Sequence, residues 1–129
     1  MALTGHGTTL TFGTTTGWTP DYISIAGPGA TREVLQTTHL GTTGAHTKAP
    51  GDLPNWQAVT CEYFYDPADG YPPIAAAAET ITLTNPDAGD ATEVFSGFVS
   101  GFEGATRVTD ELMKCNLTIE PAGAVTHTP

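Results

Sequence analysis

An all-β domain is what this sequence predicts, on three observations. Threonine, which suits strands and turns better than helix interiors, is used heavily throughout the chain. Fifteen glycines and ten prolines punctuate short runs in which apolar and polar residues alternate. Aromatics reach 9% while charged residues fall to 14%, a balance that favours a packed core over disorder. At 129 residues the chain forms one domain, residues 1–129, with loose ends at both termini.

The elements follow in order. Thr8–Phe12 alternates with Leu10 and Phe12 on one side, and Tyr22–Ala26 is a strand stopped by Gly27-Pro28-Gly29. Arg32–His39 alternates again and runs into a long, nearly uncharged loop at about 40–53. That loop closes with turns expected at Pro50-Gly51 and Leu53-Pro54. From Trp56 to Asp66, Val59, Cys61, Tyr63 and Tyr65 share one face, opposite Ala58, Thr60, Glu62 and Phe64. Pro72 and Pro73 ahead of Ala75–Ala78 predict one short helical turn.

Glu79–Pro86 places Ile81 and Leu83 inward with Thr80, Thr82 and Thr84 outward. Glu93–Gly104 is a long strand with Val94, Phe98 and Phe102 on one face and Phe95 and Val99 on the other. Its glycines predict bulges or a close backbone approach. The last strand turns Met113, Cys115, Leu117 and Ile119 to the core and Lys114, Asn116, Thr118 and Glu120 to water. About seven strands with apolar faces need a second layer, so a β-sandwich or small barrel is expected.

Charge narrows the functions. Four Lys+Arg against fourteen Asp+Glu give −10 and a pI near 4.4, which disfavours tight binding to nucleic acid or to an anionic membrane surface. No leader and no long apolar run is read in the chain, making the cytoplasm the expected site of synthesis and assembly. Cys61 and Cys115 fall in strands without a CxxC pair and are expected as buried thiols.

Chemistry is sought and not found. His39 and His46 share a loop with no carboxylate or thiol between them, so no metal is expected there. The acidic turns Asp66–Gly70 and Asn85–Asp90 lack calcium-loop spacing. No base, nucleophile or cofactor cradle emerges, and the chain is expected not to be an enzyme and to need no cofactor.

Several segments, taken in order, resemble one family. A strand ending Thr37-Thr38-His39, the loop "GAHTKAPGDL", the strand ending "EYFYDP", then "AETITLTNP" and "VFSGFVSGFEGATRVTDELMKCNLTIEPAG" are similar to the major tail tube proteins of long-tailed bacteriophages. The resemblance spans residues 8–123. It implies a β-sandwich with a short helix, in hexameric rings that stack into a hollow tail tube for DNA ejection. The partners would be further copies of the chain, with tape-measure, tail terminator and initiator or baseplate proteins, and the location the virion tail. It makes His39, Leu40, Thr42, Thr43, His46, Lys48, Pro50 and Leu53 an inter-subunit loop. Gln36, Thr38, Thr60, Glu62, Lys114, Asn116, Thr118 and Glu120 become candidates for the lumen, where acidity would let DNA slide without binding. Lys114 departs from that acidic lining. Two other readings stand beside it: a tube of a contractile tail or type VI-like injector, and a monomeric β-sandwich that binds carbohydrate or another ligand.

Overall fold

A computed structural model describes residues 3–15, 17–41 and 43–129. It shows nine strands and, among the described residues, no helix: β1 Thr9–Phe12, β2 Asp21–Ala26, β3 Ala30–Gln36, β4 Lys48–Trp56, β5 Val59–Phe64, β6 Glu79–Thr84, β7 Thr92–Glu103, β8 Lys114–Pro121 and β9 Thr126–Thr128. Seven strands form one antiparallel sheet in the order β1-β6-β7-β8-β5-β2, with β9 added alongside the start of β7. β3 and β4 pair only with each other.

The large sheet buries one face against itself. Leu10, Phe12, Ile81, Leu83, Phe95, Val99, Val59, Cys61, Tyr63, Cys115, Leu117 and Ile119 line a single core drawn from five strands. No second sheet covers that face, so the sheet must curl, and Trp18 shows how far. Its ring centroid lies 5.7 Å from Phe12 on β1 and 6.5 Å from Tyr22 on β2, although those strands are the opposite edges of the sheet. The result is a half-barrel whose two edges approach each other around one indole.

Strand β7 explains its own glycines. A Cβ at Gly97 would stand 2.9 Å from the Glu120 carbonyl oxygen and 2.9 Å from the Phe95 ring, so no side chain fits there. Between Val99 and Gly101 the register with β8 slips: Val99 faces Ile119, Gly101 faces Thr118 and Phe102 faces Leu117. One extra residue, Ser100, reverses the alternation beyond it. Phe102 therefore packs against the core, not on the face of Val94 and Phe98 as strict alternation would put it.

Three further expectations are corrected. Ala75–Ala78 form no helix; this stretch is exposed, with tight turns from Ile74 N to Pro72 O at 2.8 Å and Ala76 N to Pro73 O at 3.3 Å. Four alanines neither repay helix nucleation nor offer an apolar stripe to bury. The tail is not loose, because Thr126–Thr128 pair with Thr92–Val94. The loop expected at about 40–53 is shorter: from Lys48 onward it is strand β4, which extends to Trp56.

Prolines misled the reading of β4. In a two-stranded ladder each strand has an outer edge, where a missing N–H costs no pairing. Pro50 and Pro54 sit there opposite Val34 and Arg32. The register slips between Arg32 and Val34, and Gly51 fits beside Glu33 because a Cβ would lie 2.9 Å from the Glu33 Cβ.

Candidate self-assembly surfaces

The β3–β4 hairpin, hereafter the arm, is the least self-sufficient part of the molecule. Every residue of β3 is exposed, and Val34, Leu35, Leu40 and Leu53 show 64, 45, 107 and 82% of their surface. At about 3.3 Å per residue, the nine residues of β4 span ~30 Å. Isolated two-stranded hairpins are marginal in water. This one is braced at three points. Arg32 Nε donates to Gly51 O at 2.6 Å across the bulge. Thr37 and Thr47 join through backbone and hydroxyls at 2.9 Å each, and Thr47 N donates to Thr38 Oγ1 at 2.8 Å. At its base, Gln57 N donates to Gly29 O at 2.7 Å.

Of the residues expected in an inter-subunit loop, Thr42 lies outside the described residues and the others map to this arm. Lys48, Pro50 and Leu53 stand on β4. His39, Leu40, Thr43 and His46 form the tip, where His39 Nδ1 accepts from Gly41 N at 3.0 Å and His46 Nδ1 lies 3.3 Å from Thr38 Oγ1. The histidines serve turn geometry.

The candidate lumen residues divide. Thr60, Glu62, Lys114, Asn116, Thr118 and Glu120 share the polar face of the curled sheet, brought together by the pairs Thr60↔Thr118, Glu62↔Asn116 and Phe64↔Lys114. Glu103 joins them opposite Asn116, its carboxylate accepting from Asn116 Nδ2 at 3.4 Å. Gln36 ends β3 in the two-stranded sheet, and Thr38 lies just beyond it in the tip of the arm. Alternation alone found the first group. The same alternation also places Phe64 and Phe98 on this polar face, 36 and 37% exposed, so the face is not uniformly hydrophilic.

One buried carboxylate escaped the sequence reading. Glu79, 7% exposed, accepts from Thr14 N at 3.2 Å and Thr15 N at 2.9 Å through Oε1, and from Thr15 Oγ1 at 3.0 Å through Oε2. It fixes the β1–β2 connection that carries Trp18. In sequence it is merely the first residue of an alternating strand, and no local signal marks its role.

The acidic turns are tied up in their own backbones. Asp66 Oδ1 accepts from Ala68 N at 2.9 Å, and Asp87 Oδ1 from Ala91 N at 2.8 Å. Among the described residues no three His, Cys, Asp or Glu side chains cluster as a metal site.

Cys61 and Cys115 are free thiols in the core, one on each of two paired strands. Burial pushes the Cys61 thiol from its ordinary 9.0 up to about 12, and burial likewise raises Tyr22 and Tyr63 above their ordinary 10.0. All three folded values exceed the unfolded ones, so folding favours the neutral forms. Their contribution is complete below about pH 9 and is lost as pH rises toward 12, at about 1.4 kcal/mol per unit for each group once its unfolded form ionises. Urea midpoints should therefore stay flat on this account from pH 7 to 8.5 and fall steeply above 10. Ellman's reagent should label neither thiol at pH 8 until denaturant is added; rapid labelling of the native chain would contradict the burial.

The fold of this chain is shared with solved components of an extracellular contractile injection system and of the anti-feeding prophage. Superposition on solved structures establishes the likeness. A sheath/tube terminator of an extracellular contractile injection system (PVC, extended state) matches with a TM-score of 0.72 at 12% identity, over 100% of this chain and 98% of that one. The anti-feeding prophage tube-terminating cap matches at 0.69 with 14% identity, over 99 and 91%. A chain of the anti-feeding prophage baseplate, 6-fold symmetrised, matches at 0.70 with 9% identity, over 94 and 90%. The likeness is thus to a terminator, a tube-terminating cap and a baseplate chain, and not to the tubes of long flexible tails in particular. No protein-family model matches the chain, and no curated protein is similar to it in sequence.

Proposed function

We propose that this chain is a structural subunit of a phage-tail-like particle, whose copies join into hexameric rings that stack as a hollow tube or close its end. The carrying observation is the arm: a braced ~30 Å hairpin that displays four large apolar side chains and whose strands pair with no strand of the large sheet. A lone copy leaves that surface wet, and an identical neighbour supplies cover. The open edges β1 and β2 offer further pairing.

Whole-length likeness to a sheath/tube terminator and a tube-terminating cap supports this reading, and it favours a contractile particle over a flexible tail. The likeness to a 6-fold symmetrised baseplate chain fits six-fold rings. The face bearing Glu62, Glu103 and Glu120 is the candidate lumen wall, repelling a phosphate backbone in transit. Terminator, tape-measure and baseplate proteins are then its heterologous neighbours, and the assembled tail is its location.

Negative-stain electron microscopy and light scattering of concentrated protein test the proposal. Rings or tubes of constant diameter are the expected result. A monomer at every concentration and salt would overturn it.

A further inference from the structure

The open edges of the half-barrel meet at one cleft. It holds about 550 Å³ and is lined by β1, by Thr15, Trp18, Thr19 and Pro20 and by the start of β2, with Leu10, Phe12, Trp18 and Tyr22 as its apolar surface. β1 pairs only with β6 and β2 only with β5, so each leaves one side of its backbone without a strand partner. Two aromatic donors share this lack. Trp18 is 6% exposed and its Nε1 has no hydrogen-bond partner among the described residues; the Tyr22 hydroxyl has none either. Buried donors without acceptors are costly, at about 1–3 kcal/mol each. An extended segment laid along the edge would bring backbone carbonyls and N–H groups to the unpaired side of the strand.

We propose that the occupant is the arm of a second copy, with β3 added as a strand in the cleft between β1 and β2. This rests on the reading of the chain as a self-assembling subunit and names the contact. β3 is the competent strand because its seven residues are exposed and contain no proline, whereas Pro50 and Pro54 deprive β4 of donors. Val34 and Leu35 point to opposite faces of β3, so whichever face turns inward brings one apolar side chain to a cleft walled by Leu10 and Phe12.

Charge points to the same partner. The arm carries Arg32 and Lys48 against Glu33 and Asp52 and is neutral, so the whole formal −10 belongs to the body. Two bodies repel each other; a neutral arm approaches a body without that penalty. Asp21 on the cleft wall suits the cations of the arm. The contact is heterologous, with a donor arm and an acceptor cleft on every copy, and so it propagates into a ring or a filament.

Complementation tests this directly. Val34→Asp with Leu35→Asp disables the arm and leaves the cleft intact. Thr19→Arg plugs the cleft and leaves the arm intact, and Thr9→Arg, on the same rim, serves as a second plug; circular dichroism checks that each variant folds. Under conditions where wild-type protein assembles, each variant alone should elute as a monomer. An equimolar mixture of arm and cleft variants should give dimers and nothing longer, since only one intact arm and one intact cleft can meet. Assembly of both plugged variants at the wild-type level would overturn the cleft as acceptor while leaving the tail-subunit reading in place. A mixture that stays monomeric would show that arm and cleft are not partners. Wild-type protein that never assembles would remove both readings together.

Discussion

Replacing Trp18 by alanine is expected to lower the unfolding free energy by about 3–5 kcal/mol, the range for deleting a large buried aromatic. The indole is 6% exposed and meets Phe12, Tyr22 and Tyr63 edge-on, with centroids at 5.7, 6.5 and 5.3 Å. Such aromatic pairs add about 0.5–1.5 kcal/mol each beyond area. Among the described residues no other ring pairs with rings on both edge strands, so the hole would lie where the two edges are bridged. Domains of this size carry about 5–15 kcal/mol in total, and the loss would leave the fold marginal at physiological temperature. Trp18→Phe keeps a ring in place and should recover more than half of the loss. Urea unfolding followed by circular dichroism decides the matter; a loss below about 1 kcal/mol for the alanine variant would mean that the two edges are held by something else.

Glu79→Ala should cost about 2–4 kcal/mol by a different route, because two backbone N–H groups and a hydroxyl lose their acceptors at once. The Thr14 and Thr15 amides, both bound to Oε1, should exchange with deuterium much faster, and Trp18 should follow as its connection loosens. Glu79→Gln separates geometry from charge. Its amide oxygen can still accept from both amides, and its nitrogen can donate to the Thr15 hydroxyl, so most of the stability should remain. If the glutamine variant is as damaged as the alanine variant, the negative charge itself, not the three acceptor contacts, holds the loop.

Much of the body was legible from alternation. Ile81 and Leu83 inward with Thr80, Thr82 and Thr84 outward, and Cys61 and Tyr63 in the core opposite Thr60 and Glu62, are what a period of two requires when one face is buried. Alternation also brought Thr60, Glu62, Lys114, Asn116, Thr118 and Glu120 onto one face. What it could not show is how distant segments meet. Trp18 lies in a stretch with no period, so its place between the sheet edges depends on the curl. Glu79 looks like any strand-opening glutamate until Thr14 and Thr15 are placed beside it. The arm was half legible: its exposed composition was clear, but Pro50 and Pro54 concealed a strand whose outer edge tolerates them.

The slip at Ser100 has a consequence for the wall that strand β7 helps to build. Because one position is counted on β7 and not on β8, residues before and after it are read in opposite parity. Ser96 and Phe98 present on even numbers, whereas Glu103 presents on an odd one and Phe102 turns inward. The chemistry offered by the far half of the strand is thus decided by a tally of residues more than by their kinds. The same letters run through a regular ladder, with no bulge at Ser100, would show a phenyl ring where this chain shows a carboxylate.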